Sequence, residues 1–368
     1  MLAMTKLKAK NLETKRSGVP QGGIRNSFYI LTQPMTSIFM TIGPATNSES
    51  QLIRCYENGI RILRFNFPHY TQETTKRDID TIHTVEQKIG ANFQLLIDTE
   101  GPEIRSWYLA TPITYSVWEI FRIYTDEKKK DATWLFCDYP SLVDDVKIGG
   151  IVKIDAGLLE VEVLEKGSGY IVVKALNGFV VGSRRHINLP GIHYNLPGIT
   201  QKDKENVLFA IKEKFNYVAL SFTRKADDVI ELRNFLKANG GENIKIIAKI
   251  ENQEGVDNIH AIIDASDMIM VARGDLGTEL PVEMIPIHQM NIVKTCKIKN
   301  TPVIVATQML ESMISNPIPT RAEVSDIFYA VREGAEYVML SWETAVGKYP
   351  IECIKVMNKV INEAEKYK

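Results

Sequence analysis

Cysteine is scarce and scattered. Cys55, Cys137, Cys296 and Cys353 lie far apart with no CxxC pair, which argues against a disulfide framework or a zinc cluster and fits isolated thiols in a reducing compartment. Charge of one sign is missing as well: 44 Lys and Arg against 45 Asp and Glu leave a net charge of -1. No global field therefore steers the chain towards nucleic acid or an anionic membrane surface. No run approaches the roughly 18 apolar residues that a membrane span requires. The early cations Lys6, Lys8, Lys10, Lys15, Arg16 and Arg25 sit among polar residues with no apolar segment behind them, so a secretory leader is not expected. Histidine is sparse, with six in the chain; His83, His260 and His288 fall in helical stretches, and His69, just after the second strand-length run, is the best candidate ligand contact, which makes no zinc constellation. These absences predict a cytoplasmic protein with no nucleic-acid or membrane partner.

What is present is a rhythm. Residues 1–35 carry no sustained periodicity, contain the turn-prone Pro20-Gln21-Gly22-Gly23, and are expected to form a flexible tail. Beyond them, eight apolar runs of strand length occur at 38–42, 60–65, 93–97, 217–220, 244–250, 268–271, 302–306 and 337–340. Most are separated by stretches of helical period, at 49–58, 72–88, 202–214, 227–239, 286–299, 321–333 and 350–366. Continuous apolar strands alternating with helices predict a parallel sheet sheathed by helices, and eight such units favour a closed (β/α)8 TIM barrel. The rhythm breaks between 106 and 188, where helices give way to β-patterned runs at 120–124, 151–154, 158–163 and 170–175, with turns at Gly149-Gly150 and Gly167-Ser168-Gly169. A small antiparallel β domain, a β-barrel lid, is expected there. The expected order is tail 1–35, barrel 36–105, lid 106–188 and barrel 189–368. An insertion after the third strand would sit over the C-terminal face, where barrels of this kind carry their chemistry.

Polar residues cluster where strands should end: Arg64 and Asn66; Asp98-Thr99; Lys249 and Glu251-Asn252; Arg273-Gly274-Asp275; Thr307-Gln308; Ser341 and Glu343. In a barrel these positions converge on one face. Lys249 and Glu251 are two apart and share a side of their strand. They could form a buried ion pair, stable only with excellent geometry. Alternatively, Glu251 and Asp275 make a hard oxygen site for Mg2+ or Mn2+, with the Lys249 ammonium beside it to stabilise negative charge on a phosphoryl group or an enolate. Gly274 removes a Cβ where backbone could approach a carboxylate or phosphate, although an ordinary strand-to-helix turn has the same residues.

Several strings resemble the pyruvate kinase family: Thr41-Ile42-Gly43-Pro44-Ala45, Arg64-Phe65-Asn66-Phe67, Asp98-Thr99 with Gly101-Pro102-Glu103-Ile104-Arg105, and Asn188-Leu189-Pro190-Gly191. So do the long strings IIAKIENQEGV at 246–256, SDMIMVARGDLGTEL at 266–280 and ATQMLESMISNPIPTRAEVSD at 306–326. The resemblance covers about residues 36–366. It implies a barrel with an inserted B domain and transfer of a phosphoryl group between phosphoenolpyruvate and ADP, giving pyruvate and ATP. Residue by residue, it implies Lys249 as the stabiliser of the transferring phosphoryl, with Glu251 and Asp275 on the divalent ion. It further implies Arg64 on the phosphoryl group, and Gly274, Asp275 and Thr307 on the pyruvate moiety. Asn66, His69, Arg105 and Arg185 fall at nucleotide positions, and Asn66, Asp98 and Thr99 at those of a monovalent cation. Glu103 matches the variant associated with K+ dependence.

The chain keeps the family's metal and enolate positions and departs from its strings at the potassium, nucleotide and lid positions. Pro68 stands where a potassium-ligating serine is usual, and Glu100 where a lysine is. Ala156 replaces an aspartate, Arg184-Arg185-His186 replaces Lys-Lys-Gly, and Trp342 and Val346 replace a glycine and a lysine. The resemblance stops with the barrel, so the family's C-terminal regulatory domain is expected to be absent, leaving homo-oligomerisation to the barrel. Three readings follow: a pyruvate kinase with altered K+ need; a recruited relative using the same metal and Lys249 on another 2-oxoacid, enol or phosphoryl donor; or a non-catalytic metabolite- or partner-binding relative.

Overall fold

The computed structural model describes residues 36–126, 134–192 and 196–368. The expected tail, 1–35, lies outside them. Eight strands close into a barrel: Ser37–Thr41, Ile62–Asn66, Gln94–Asp98, Tyr217–Leu220, Lys245–Ile250, Met268–Ala272, Val303–Ala306 and Tyr337–Leu340. Every neighbouring pair is parallel, and the eighth strand pairs back onto the first, Ile38 opposite Val338. The (β/α)8 expectation is met strand for strand.

Alternation along each strand makes two cores. Phe39, Ile62, Leu96, Tyr217, Ala219, Ile247 and Met270 pack with one another inside the barrel. Their neighbours Met40, Leu63, Ile97, Val218 and Ile246 pack outward against the helices. Because side chains repeat every second residue, the residue two beyond each interior position tops the interior column. Ile62 leads to Arg64, Leu96 to Asp98, Ala219 to Ser221 and Ile247 to Lys249. Four apolar columns therefore end in four polar side chains on one face, which is how the fold builds a site.

The helices start on explicit signals. Thr71, Thr200 and Thr320 each cap a helix in a reciprocal box, with Thr74, Asp203 and Glu323 respectively. Short helices at Gln253–Asp257, Ile259–Ala265 and Arg273–Glu279 are too brief for periodicity to announce them. The glycine of the Thr41–Ala45 string is there for close approach: a Cβ on Gly43 would stand 2.5 Å from the Ala345 carbonyl oxygen.

Between the third and fourth barrel strands the chain leaves the barrel for a β unit with its own core, including Ile123, Val161, Val173 and Ile187. Its six-stranded sheet runs 187–188, 151–154, 159–167, 170–175, 120–124, 135–136, and a two-stranded ladder joins 113–115 to 179–181. Most pairs are antiparallel as expected, but Ile120–Tyr124 and Leu135–Phe136 pair in parallel, so the sheet is mixed. A one-turn helix at Leu142–Asp145 also interrupts the expected all-β stretch. The two chain crossings to the barrel run side by side, with a bridge between Arg105 and His186. Lys153 Nζ donates to the Thr278 carbonyl at 2.8 Å, and Asn188 Nδ2 to Glu279 Oε1 at 2.7 Å, seating the unit against the C-terminal end of the short helix Arg273–Glu279.

Candidate active site

A cleft of about 810 Å3 opens where the strands end, walled on one side by barrel residues and on the other by Asp155, Ala156 and Arg184 to His186 of the inserted unit. That size suits a metabolite or cofactor.

On its floor, Lys249 Nζ lies 3.0 Å from Asp98 Oδ1, 2.9 Å from Glu251 Oε1 and 2.8 Å from Ser221 Oγ. Arg64 completes the cluster: its Nε donates to Asp98 Oδ2 at 2.7 Å, and its two terminal nitrogens donate to Thr41 Oγ1 and Asn66 Oδ1, each at 3.0 Å. Thr99 is locked in the same layer, receiving the Ser221 N–H on its hydroxyl at 3.1 Å. Glu251 Oε2 accepts the Phe222 N–H at 2.6 Å, whereas Oε1 is buried and makes no hydrogen bond despite facing the ammonium.

These charges set one another's protonation. Burial alone would raise the Asp98 carboxyl, but Lys249 and Arg64 hold it below its usual value. Burial would likewise depress Lys249, yet Asp98, then Glu251 and Asp275, keep its ammonium above the ordinary lysine value. Glu251 goes the other way. Burial pushes it up to about 8 against the pull of Lys249, with Asp275 adding to the rise.

On the side of the sixth and seventh strands, Asp275 stands in the first turn of helix Arg273–Glu279 and lines the cleft with Gly274 and Thr307. The Gly274 N–H donates to Thr307 Oγ1 at 2.8 Å, and that hydroxyl donates to the Ala306 carbonyl at 2.6 Å. Thr307 and Gln308 both have positive φ, 69° and 54°, a strained turn of the kind that collects at functional sites. Arg273, expected with the mouth residues, points away from it. Its guanidinium binds Asp326 at 2.6 Å and the Thr307 carbonyl at 2.6 Å, bracing the turn from behind.

Asn66, His69, Arg105 and Arg185 all line the cleft. Arg105 Nε donates to Glu103 Oε2 at 2.6 Å, and His186 Nε2 meets the same oxygen at 3.2 Å. Burial would lower His186, but Glu103 raises it above its usual value. Arg185 pairs with Asp155 at 3.4 Å and is half exposed. His69 is held below the ordinary histidine value by burial and by the cations Arg64 and Arg105. Glu100, where the resembling family has lysine, pairs with Lys202 at 2.9 Å on the rim. Glu343 is an anchor: buried, it accepts the N–H groups of Leu310 at 3.0 Å and Ser341 at 2.7 Å.

Sequence reasoning passed over Ser221 and Thr41, which bind Lys249 and Arg64. Each sits at or just beyond the end of an apolar strand, and extending the interior column by two residues would have found both. Among the described residues, no group of three or more His, Cys, Asp or Glu side chains is arranged to hold a metal; Glu251 and Asp275 make a pair. No helix among them is long and apolar enough to cross a membrane.

The same residues are read by comparison with known proteins. The family model "Pyruvate kinase, barrel domain" matches residues 33–354. The chain is 43% identical over 341 residues to the pyruvate kinase of Geobacillus stearothermophilus, covering 90% of this chain and 57% of that protein. It is 41% identical over 336 residues to that of Dictyostelium discoideum, covering 90% and 66%. A solved pyruvate kinase from Cryptosporidium parvum superposes with a TM-score of 0.87 at 40% identity, over 91% of this chain and 70% of that one. The chain thus spans a little over half the length of most curated relatives it matches, such as the 57% of the Geobacillus protein. With a matching barrel model, identities above 40% across nine-tenths of the chain and the Lys249–Glu251 floor beneath an inserted β unit, the chain belongs to the pyruvate kinase family.

Proposed function

We propose that this chain transfers a phosphoryl group between phosphoenolpyruvate and ADP, with pyruvate and ATP as products. The observation that carries the reading is Lys249: a buried ammonium, held by Asp98, Glu251 and Ser221, at the floor of a cleft whose walls bear Arg64, Asp275 and the Gly274–Thr307 pair. In the forward direction the bond between phosphorus and the enol oxygen breaks, a bond forms from phosphorus to a terminal oxygen of the nucleotide, and the enolate left behind takes a proton at its methylene carbon. Negative charge sits on phosphoryl oxygens throughout, so fixed cations in a dry site stabilise the transition state. Lys249 and Arg64 supply them, and their hydrogen bonds to Asp98 hold both in place before substrate arrives. Gly274, Asp275 and Thr307 sit where the pyruvate moiety would lie, and Asn66, His69, Arg105 and Arg185 where the nucleotide would.

The donor set fits a hard divalent cation, Mg2+ or Mn2+: two carboxylates, Glu251 and Asp275, the first with a buried oxygen that is ion-paired to Lys249 at 2.9 Å but makes no hydrogen bond, leave the remaining positions to substrate and water. Bound there, the cation would supply Lewis acidity at the phosphoryl and enol oxygens. The potassium positions fit less well. Asn66 and Asp98 are engaged by Arg64, Thr99 by Ser221, and Pro68 has no hydroxyl to offer. A weak K+ requirement follows. Buried, unpaired Cys55, Cys137, Cys296 and Cys353 suit the cytoplasm. The β unit of 106–188 acts as a lid, and homo-oligomerisation, where it occurs, uses the barrel.

The changed cleft wall at Glu100, Ala156, Trp342 and Val346 favours a second reading, in which the same metal and Lys249 serve another 2-oxoacid, enol or phosphoryl donor. Pyruvate formation from phosphoenolpyruvate and ADP, with Mg2+ and titrated K+, tests the first. No turnover, combined with metal-dependent exchange of the methyl protons of pyruvate, would replace it with the second.

A further inference from the structure

The cleft lining combines two kinds of surface. The floor carries Arg64, Lys249 and Asp275. The lining also includes apolar and aromatic side chains: Pro44, Pro68, Tyr70, Ile314, Trp342 and Val346. Within it Trp342 remains 45% exposed, unusual for so large an apolar surface inside a concave site. Its ring meets His69 edge-on, with centroids 5.1 Å apart and planes at 62°.

Trp342 is also rigidly mounted. It opens the one-turn helix Trp342–Ala345, whose next residue, Glu343, is buried and fastened to the Ser341 and Leu310 N–H groups. Thr344 Oγ1 donates to the Thr41 carbonyl at 2.8 Å, and Thr46 Oγ1 to the Thr344 carbonyl at 3.0 Å, tying this turn to the loop after the first strand. A half-exposed indole on a fixed backbone gives contact area at small entropic cost on binding.

We propose that Trp342, braced by His69, is a stacking platform for the heteroaromatic base of the nucleotide, a contact that the glycine of the resembling string could not make. The inference rests on the phosphoryl-transfer reading and extends it to how the base is held. Phosphates belong with the cations Arg64 and Lys249 and a flat π-face against the exposed Trp342 ring, so one bipolar ligand uses both kinds of surface. His69, held below its ordinary pKa by burial and by Arg64 and Arg105, is largely neutral near pH 7 and leaves no buried cation beside the base. Stacking reads a π-face rather than a hydrogen-bonding edge, so the platform raises affinity for purine nucleotides in general.

The test is calorimetric binding of Mg-ADP and of Mg-tripolyphosphate, a base-free polyphosphate, to the full chain, to Trp342→Ala and to Trp342→Phe. The platform predicts that Trp342→Ala weakens ADP roughly 5- to 150-fold, that Trp342→Phe restores most of the loss, and that tripolyphosphate binds all three proteins equally. A half-exposed side chain can be removed without opening the core, and an unchanged melting temperature checks this. Equal ADP affinity in all three proteins overturns the platform while leaving the phosphoryl-transfer reading intact. Equal losses for ADP and tripolyphosphate overturn it too, because the effect would not involve the base. No binding of either ligand to the unaltered chain overturns the nucleotide reading itself, and the platform with it.

Discussion

Glu251 supplies a quantitative test of the proposed metal site. Buried against Lys249, it is pushed up to about 8 from 4.5. The metal-free folded chain therefore binds a proton here between about pH 4.5 and 8 that the unfolded chain has released. Stability rises with pH where the unfolded state holds more protons; here the folded state holds more, so this group's contribution is fully present below pH 4.5 and is lost as pH rises towards 8. The slope attributable to one such group is at most about 1.4 kcal/mol per pH unit. A divalent ion must displace the same proton, so Mn2+ affinity should strengthen by up to about tenfold per pH unit below 8 and level off above it. Urea titrations at several pH values, without metal and with saturating Mn2+, compare the unaltered chain with Glu251→Gln. The difference between the two proteins isolates Glu251 from other titrating groups, among them His186, which Glu103 raises above its usual value. The metal-free slope of stability against pH should be the more negative in the unaltered chain, and proton release on Mn2+ binding at pH 6.5 should be absent in Glu251→Gln. Identical slopes, with Mn2+ affinity independent of pH between 6 and 8, would refute the reasoning.

Two further outcomes follow from geometry. Gly43→Ala would place a Cβ 2.5 Å from the Ala345 oxygen and 2.8 Å from its Cα, both backbone atoms that cannot swing aside, and should cost about 1–3 kcal/mol; an unchanged melting temperature would show that the turn carrying Trp342 is looser than described. Pro68 leaves the potassium positions without a hydroxyl, so activity should depend only shallowly on K+, and Pro68→Ser should steepen it. A steep K+ dependence in the unaltered chain would contradict this.

The barrel was legible because its strands are continuous apolar runs and its longer helices carry clear period and capping residues. What escaped was short or set by tertiary contact. Helices Gln253–Asp257 and Ile259–Ala265 span too few turns for an apolar stripe. Strands Ile113–Tyr115, Leu135–Phe136, Phe179–Val181 and Ile187–Asn188 are too brief for alternation, and the parallel pairing of Ile123 with Leu135 has no local signature. At the site, Lys249, Glu251 and Asp275 stood out because charges at strand ends are expensive to bury. Ser221 did not, since a serine after a strand reads as the start of a loop. Arg273 misled in the opposite sense: its charge suggested the mouth, whereas Asp326, 53 residues further along the chain, draws it to the back of the Thr307 turn.

The central claim is that the Lys249 ammonium, poised by Asp98 and Glu251, stabilises the phosphoryl group in transit. It is tested most directly by single-turnover transfer from phosphoenolpyruvate to ADP in Lys249→Met, with Mn2+ and substrate binding measured on the same protein. Transfer should fall by several orders of magnitude while the folded variant still binds Mn2+. Transfer at an undiminished rate in Lys249→Met would contradict it.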